Sequence, residues 1–365
     1  MSLEEIVPVV IDDGHYSQKG AKLSNKNHAC FYLLPSLIQS GHSQIMSMDG
    51  TDSQSDFVTQ ANDSTDGTKP LYFSVHNRIQ FGSQSSLVDT QNELFQLSEA
   101  SRVLVHAMLH HMGLAGKKVH LITTSPMRRY FFADGDVNTE YIAKRNENLM
   151  KPVSNAKGES VEVVRCDQVP EGFASYLSLL IKYKEHTKGY TLGHNVELSN
   201  QDILLLDFGG QTINVTVVSN GRLMTNLSYS EEGMGALRIY EQLADHFKSY
   251  RRNITRDEIT KAIETGEFYT DKRGTNKIDV SRTVDKVVRN VLIPGLERVQ
   301  QRTPFANFDR IIASGGTAKT TWKIIKSIDP AIELIDDPVN SNAKGAFYNL
   351  LRERKIHEGT KATSD

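Results

Sequence analysis

Two aspartates stand at the ends of apolar runs, each followed by glycine. One is Asp207 in Ile203-Leu204-Leu205-Leu206-Asp207-Phe208-Gly209-Gly210-Gln211-Thr212. The other is Asp12 in Val9-Val10-Ile11-Asp12-Asp13-Gly14-His15-Tyr16, with Lys19 a few residues on. Such runs read as buried strands that deliver an acid at their ends. The glycines permit a tight turn and a close backbone approach to a ligand. After Gly210, Ile213, Val215 and Val217 alternate with Thr212, Asn214 and Thr216, which is the period of a returning strand. A hairpin tip of this kind can turn backbone N–H groups towards phosphate oxygens while its acid faces a hydrated cation. An ordinary hairpin, whose acid and glycines serve only the turn, fits the same pattern. Lys19 likewise reads either as a phosphate contact from the returning strand or as a surface charge. Neither GxxxxGK[ST] nor GxGxxG occurs, so a Walker loop and a dinucleotide fingerprint are excluded.

A third glycine motif, Ile311-Ile312-Ala313-Ser314-Gly315-Gly316-Thr317, precedes a helical stretch over 319–328. Strand, glycine pair and helix set N-terminal amides beside a surface free of side chains, on which a base or ribose could lie. Asp167, with Gln168 beside it, follows the alternating stretch 160–166 and precedes a helix expected over 173–186. An acid there can face a cleft, or can serve as a turn or capping residue. His106 and His110 have the spacing of a helical metal pair. The glutamate of HExxH is missing, and their neighbours Met108 and Leu109 look like core.

The elements that must carry these residues alternate strand and helix, so the fold class is α/β. With 365 residues the chain can form two domains with substantial cores. A polar stretch near 48–69 reads as a long exposed loop, with strands resuming at 71–75 and 79–81. Leu94 to Met112 has helical periodicity, with Gly113 as a stop. Thr187 to Asn200 reads as a polar loop. Thr255-Arg256-Asp257-Glu258 matches a capping box. Residues 281–299 form a long helix expected to distort at Pro294. A last helix opens near Lys344, and the residues after Lys355 look disordered.

Net charge is -2, so no bulk basic field exists to hold nucleic acid or an anionic membrane. The two cysteines, Cys30 and Cys166, lack CxxC spacing, which fits a reducing compartment and argues against a zinc ribbon. Glu4 and Glu5 precede the first apolar run, the wrong order for a secretory signal. No apolar stretch reaches the ~18 residues of a membrane span. A cytoplasmic globular protein is expected.

Two acid-headed hairpins and a later strand-Gly-Gly-helix, in this order, resemble the phosphate, phosphate and adenosine motifs of the actin/Hsp70/sugar-kinase superfamily. Ile11-Asp12-Asp13-Gly14 with Lys19, Pro126-Met127-x-x-Tyr130, Asn138-Thr139-Glu140-x-Ile142 and Pro170-x-Gly172-Phe173 resemble, more closely, the plasmid-segregating bacterial actins of the ParM family. The resemblance runs from Val9 to about Tyr348. It implies an actin-like, ribonuclease H-like pair of duplicated domains with a nucleotide cleft between them. Domain I would take residues 1–186 plus about 336–365, with a small inserted subdomain at about 36–92. Domain II would take 187–335, with a helical subdomain at about 236–300.

By the same resemblance, this is a cytoplasmic ATPase, with GTP as the other nucleotide, that polymerises head to tail into helical filaments. Such filaments move plasmid copies through a DNA-binding, ParR-like adaptor, without direct nucleic-acid binding by this chain and without a membrane. Gly14, Lys19, Gly209, Gly210, Gln211 and Thr212 would contact the phosphates, and His15, Tyr16 and Gly233 would belong to the same nucleotide site. Gly315, Gly316 and Thr317 would line the adenosine side. Asp12 and Asp207 would hold hydrated Mg²⁺. The water-positioning group would fall at Asp167, where the family has Glu, with Gln168 as the other candidate. Asn214 replaces an acid common at its position, and His15 and Tyr16 are bulkier than the family's residues there. A soluble small-molecule kinase on the same fold is the alternative function.

Overall fold

The structure is a computed structural model. It describes residues 6–42, 56–62, 69–77, 87–90, 92, 94–233 and 235–362, the last with side chains to Lys355. The first half opens with β1 (Val7–Asp13), β2 (Ser17–Leu23), β3 (Ala29–Pro35) and β4 (Leu37–Ser40). It continues through β5 (Asp56–Gln60), β6 (Pro70–His76), α1 (Glu99–His111), β7 (Lys118–Ser125) and the short α2 (Met127–Tyr130). Then come α3 (Thr139–Met150), β8 (Val153–Asn155), β9 (Glu162–Pro170) and α4 (Phe173–Leu180). A hairpin of β10 (Ile181–His186) and β11 (Gly189–His194) and a short α5 (Val196–Ser199) lead to the second half.

The second half begins with β12 (Asp202–Phe208), β13 (Thr212–Ser219), β14 (Arg222–Leu223) and β15 (Tyr229–Glu232). Next are α6 (Ala236–Phe247), α7 (Arg256–Thr265), the hairpin of β16 (Glu267–Tyr269) and β17 (Lys277–Asp279), and α8 (Ser281–Arg302). It closes with β18 (Arg310–Ser314), α9 (Gly316–Ile328), β19 (Ile332–Leu334) and α10 (Ser341–Ala362).

The two halves repeat one topology. In the first sheet the order is β3-β2-β1-β7-β9, with β1 and β2 antiparallel and β1, β7 and β9 parallel. In the second, β12 and β13 are antiparallel, β12, β18 and β19 are parallel, and β15 joins the outer edge of β13. The pair β1–β2 therefore corresponds to β12–β13. The duplication expected from the two acid-headed hairpins is present at the level of strand order. Each first strand is buried along nearly its whole length, as fits a parallel sheet covered on both faces. A smaller sheet, β4-β6-β5-β8, extends the first half, and α6, α7 and α8 build a helical extension of the second.

Several expectations need correction. The helix beginning at Phe173 ends at Leu180, and residues 181–186 are a strand paired with Gly189–His194. Most of the expected 187–200 loop is thus strand and short helix, turning at Gly189 with φ +129°. The polar stretch near 48–69 contains β5, which pairs with β6 and β8; its remainder, 48–55 and 63–68, and the strand expected at 79–81 lie outside the described residues. The last helix continues beyond Lys355 to Ala362. Pro294 sits inside α8, which runs unbroken from Ser281 to Arg302. The capping box at Thr255 and Glu258 forms as expected, with both reciprocal bonds, and Gly266 ends that helix at φ +72°. Among the described residues no helix is long and apolar enough to cross a membrane.

Where the halves meet, α10 packs against α4. Gly345 makes this crossing possible, because a Cβ there would overlap the Ala174 carbonyl.

Candidate functional site

The acids lie where the strands end, at the facing edges of the two sheets. Asp12 and Asp207 are both buried and line one cavity of about 450 Å³ together with Gly14, Lys19, Glu171 and Gly209. Gly210, Gln211, Thr212, Gly315, Gly316 and Thr317 line it too. That volume lies in the range of about 300–1,000 Å³ that small-molecule sites occupy.

The first acid is held by its own sheet. Asp12 stands opposite Lys19 in the β1–β2 register, with Nζ 3.2 Å from Oδ2, and the Thr124 hydroxyl donates to Oδ1 at 2.7 Å. Burial opposes the charge on Lys19, but Asp12, with Asp207 and Glu171 further off, outweighs it and raises its pKa. Lys19 is therefore a fixed cation on the cleft wall. Next to it, Asp13 forms a fully buried pair with Arg145 of α3. Arg145 also donates to the Thr124 carbonyl at 2.8 Å and to Ser125 Oγ at 2.7 Å, so one guanidinium ties the ends of β1 and β7.

The second acid is held from the C-terminal helix. Asn342 Nδ2 donates to Asp207 Oδ2 at 2.9 Å. The same amide oxygen accepts from the Gly172 N–H at 3.0 Å and the Ser175 hydroxyl at 2.7 Å. Burial raises the pKa of Asp207, the Asn342 bond opposes that rise, and Asp12 adds to it. The Gly209–Thr212 turn is closed by Gly209 N–H to Thr212 O at 2.9 Å. Helix α6 caps the turn, with Leu237 N–H donating to Gly210 O at 2.9 Å. Gly315, at φ +95°, has no room for a side chain because a Cβ would press on Asp207 and Phe208. Thr317 Oγ1 bonds Gly209 O at 2.9 Å and joins the third motif to the second.

Asp167 and Gln168 do not reach this cleft. β9 runs on to Pro170, so both lie within the strand and not at its end. Asp167 shares the outward parity of Arg165 and bonds His120 Nε2 at 2.7 Å and Arg165 Nε at 2.7 Å. Gln168 is buried on the other face, where Ser125 donates to Oε1 and Nε2 donates to Asn146 Oδ1 at 2.8 Å. The strand instead delivers Glu171 to the cavity. Glu171 keeps some exposure to the cleft, yet desolvation pushes its carboxyl well above the usual range, and Asp12, Asp207 and Asp13 push it further against the pull of Lys19. The signal for it was the segment Pro170-Glu171-Gly172, whose middle residue the motif reading passed over. Arg145 was also missed; it lies four residues from Tyr141 and four from Leu149, on the buried stripe of an otherwise charged helix.

Gly233 lies outside the cavity lining, with its carbonyl near Arg238; Met234 lies outside the described residues. The His15 ring contacts the Thr90 carbonyl, and burial lowers its pKa against the pull of that contact. Tyr16 crosses the mouth of the cleft. Its ring lies 6.2 Å from that of Tyr240 in α6, and the Arg256 guanidinium of α7 sits 5.1 Å from its centroid. A second tie across the cleft joins Arg128 to Glu232. Asn214 Nδ2 of the second hairpin donates to Glu171 Oε2 at 2.9 Å.

Whether Mg²⁺ fits can be judged from these donors. Among the described residues no three acidic, histidine or cysteine side chains converge tightly enough to chelate a metal alone. Asp12, Asp207 and Glu171 instead ring a cavity in which Lys19 is the nearby cation. That arrangement suits a cation which keeps its waters and is shared with phosphate oxygens.

Residues 46–180 match the family model described as plasmid segregation protein ParM, N-terminal. No curated protein sequence matches the chain. Among solved structures, an archaeal actin homologue shares 15% identity at a TM-score of 0.68, covering 95% of this chain and 100% of its own. A 15-stranded ParM filament from Clostridium botulinum gives 17% identity and a TM-score of 0.66, covering 96% and 99%. Bacillus thuringiensis ParM with ATP gives 16% identity and 0.65, covering 96% and 100%. At such identities the structures speak for the fold, and the likeness to the ParM family model is carried by residues 46–180. The chain has the actin fold, with a ParM-like segment in its first half.

Proposed function

We propose that this protein is an ATPase that assembles head to tail into nucleotide-dependent filaments and segregates plasmid DNA through a DNA-binding adaptor. The observation that carries the reading is the meeting of all three glycine motifs around one cavity, with Glu171 on its wall. Neighbours of the same fold include a ParM with ATP and a ParM filament, which supports both the ligand and the assembly. The first lobe and α10 act as domain I, and the second lobe as domain II. A head-to-tail contact pairs two different surfaces and does not close, so it propagates a filament.

In this reading the Gly14 and Gly209–Thr212 turns hold the phosphates, and Lys19 faces their negative charge. The Gly315–Thr317 turn takes the nucleoside side. Asp12 and Asp207 would hold the waters of Mg²⁺, which supplies neutralisation of the phosphate charge when bound. Glu171 replaces Asp167 as the group that orients the attacking water and takes up its proton. Light scattering with ATP and Mg²⁺, followed by negative-stain imaging, tests the reading. A concentration-dependent rise with visible filaments is expected. A flat trace combined with phosphorylation of a small acceptor would instead favour the kinase.

Tyr16 supplies a separate test of the closed cleft. A cation–π contact contributes about 0.5–2 kcal/mol, so Tyr16→Ala is expected to raise the nucleotide dissociation rate by roughly 2- to 30-fold. Stopped-flow release of a fluorescent nucleotide reads this directly. An unchanged rate means that the cleft opens elsewhere.

A further inference from the structure

Strand register sets a row of side chains across the second sheet. Asp207 faces Asn214 in the β12–β13 pair, and Asn214 faces Ser230 in the β13–β15 pair. Residues directly opposite in an antiparallel pair point to the same side of the sheet, so all three turn towards the cleft. The duplicated topology makes Asn214 the counterpart of Lys19, which faces Asp12 in the same way. The two behave differently. Lys19 pairs with the acid of its own sheet, whereas Asn214 reaches across the cleft to Glu171 at 2.9 Å.

The amide has one orientation available. Ser230 Oγ donates to Asn214 Oδ1 at 2.6 Å, which turns the NH₂ group towards Glu171. Asn214 is only 2% exposed, so water does not compete freely for that bond. Among the described residues no other side chain hydrogen-bonds the Glu171 carboxyl. A second contact shows how tightly this region fits. Gly172, next to Glu171, lies at φ +74° against Thr216, and a Cβ there would overlap the threonine hydroxyl. Thr216 lies two residues from Asn214 on the same face of β13, so that face docks on the Glu171–Gly172 turn.

We propose that Asn214 is a positioning residue that orients Glu171 only while the two lobes are closed, with Ser230 setting its amide. The inference rests on the role given to Glu171 under Proposed function. Its physical basis is reach. A bond of 2.9 Å between groups on opposite lobes is lost once the lobes part by about 1 Å. Displacement of that size at a reacting group can cost ~10²-fold in rate. Hydrolysis would then be coupled to closure through this chain's own amide.

The test uses the full-length chain with ATP and Mg²⁺ and separates turnover from binding. Asn214→Ala is expected to lower single-turnover hydrolysis by roughly 10- to 100-fold, with nucleotide affinity within about threefold of the parent. Ser230→Ala is expected to lose less, because the amide is kept but freed to flip. Added to Asn214→Ala, it should cost nothing more, since the amide it orients is gone. A merely structural role predicts a different pattern, with affinity and turnover falling together and the two substitutions additive. That pattern, or parental turnover in Asn214→Ala, overturns the inference while leaving the ATPase reading intact. A parent chain that binds and hydrolyses no nucleotide overturns both.

Discussion

Glu171→Gln should lower nucleotide hydrolysis by about two to three orders of magnitude while affinity for ATP stays within a few-fold. Gln keeps the size and can still accept from Asn214 through its carbonyl, but it cannot take a proton from water. If the proposed filaments form and hydrolysis triggers their disassembly, those of the variant should assemble and persist. Phosphate release in a single turnover, measured beside nucleotide affinity, decides the matter. Normal turnover would return the role to another group. The same substitution should stabilise the nucleotide-free, Mg²⁺-free protein, and its pH dependence has a definite sign. Burial and then Asp12, Asp207 and Asp13 raise the folded pKa of Glu171 above its ordinary 4.5. A raised acid contributes stability that is fully present below pH 4.5 and is lost as pH rises through the folded value. The advantage of Gln should therefore be small near pH 4.5 and grow with rising pH. Thermal melts across that range in the presence of EDTA would show it. A constant difference would mean that Glu171 is not desolvated.

Arg145→Met is expected to destabilise the fold by about 3–5 kcal/mol, the usual cost of leaving one buried charge without its partner. Arg145 is fully buried and carries Asp13, Thr124 and Ser125 at once. Burial disfavours its charge, but Asp13 more than offsets this, so the guanidinium stays protonated. Without it, Asp13 loses the interactions that counter desolvation, and its already raised pKa climbs further. By the same sign rule, the loss should be least below pH 3.8, where Asp13 is largely protonated whether folded or unfolded, and should deepen towards neutral pH. Adding Asp13→Asn should recover a large share. Denaturant unfolding at several pH values tests both statements, and a pH-independent loss that Asp13→Asn does not relieve would point to packing instead.

The sequence carried the architecture well because its strands are long and apolar and its turns are marked by glycine. Asp12, Asp207 and the Gly315–Gly316 pair converge as their spacing suggested. It pointed to Asp167, whereas the acid that lines the cleft is Glu171, because parity and length of one strand decide which acid reaches it. The pattern was read as ending at Cys166, and four more residues of β9 turn Asp167 outward and carry Glu171 inward. Asn214 was opaque for a different reason. Its partners, Glu171 and Ser230, lie on other strands, and no local pattern records a bond between lobes. The helix expected over 173–186 overruns into β10 because Leu177, Leu180 and Ile181 continue a helical stripe, and β11 falls in the expected polar loop. The alternation of Ile181 and Tyr183 with lysines, before Gly189, was the better guide.

Asn342 touches Asp207 on one lobe and Gly172 and Ser175 on the other, so it belongs to both. Thermodynamic reciprocity follows from such a link. If filling the cleft draws Asp207 and changes the preferred angle between the lobes by some factor, an outside contact that fixes that angle changes affinity for the cleft's contents by the same factor. A neighbouring subunit in a polymer is such a contact. Growth and ligand retention would then be two readings of one coupling, and an Asn342→Ala chain should weaken both in proportion.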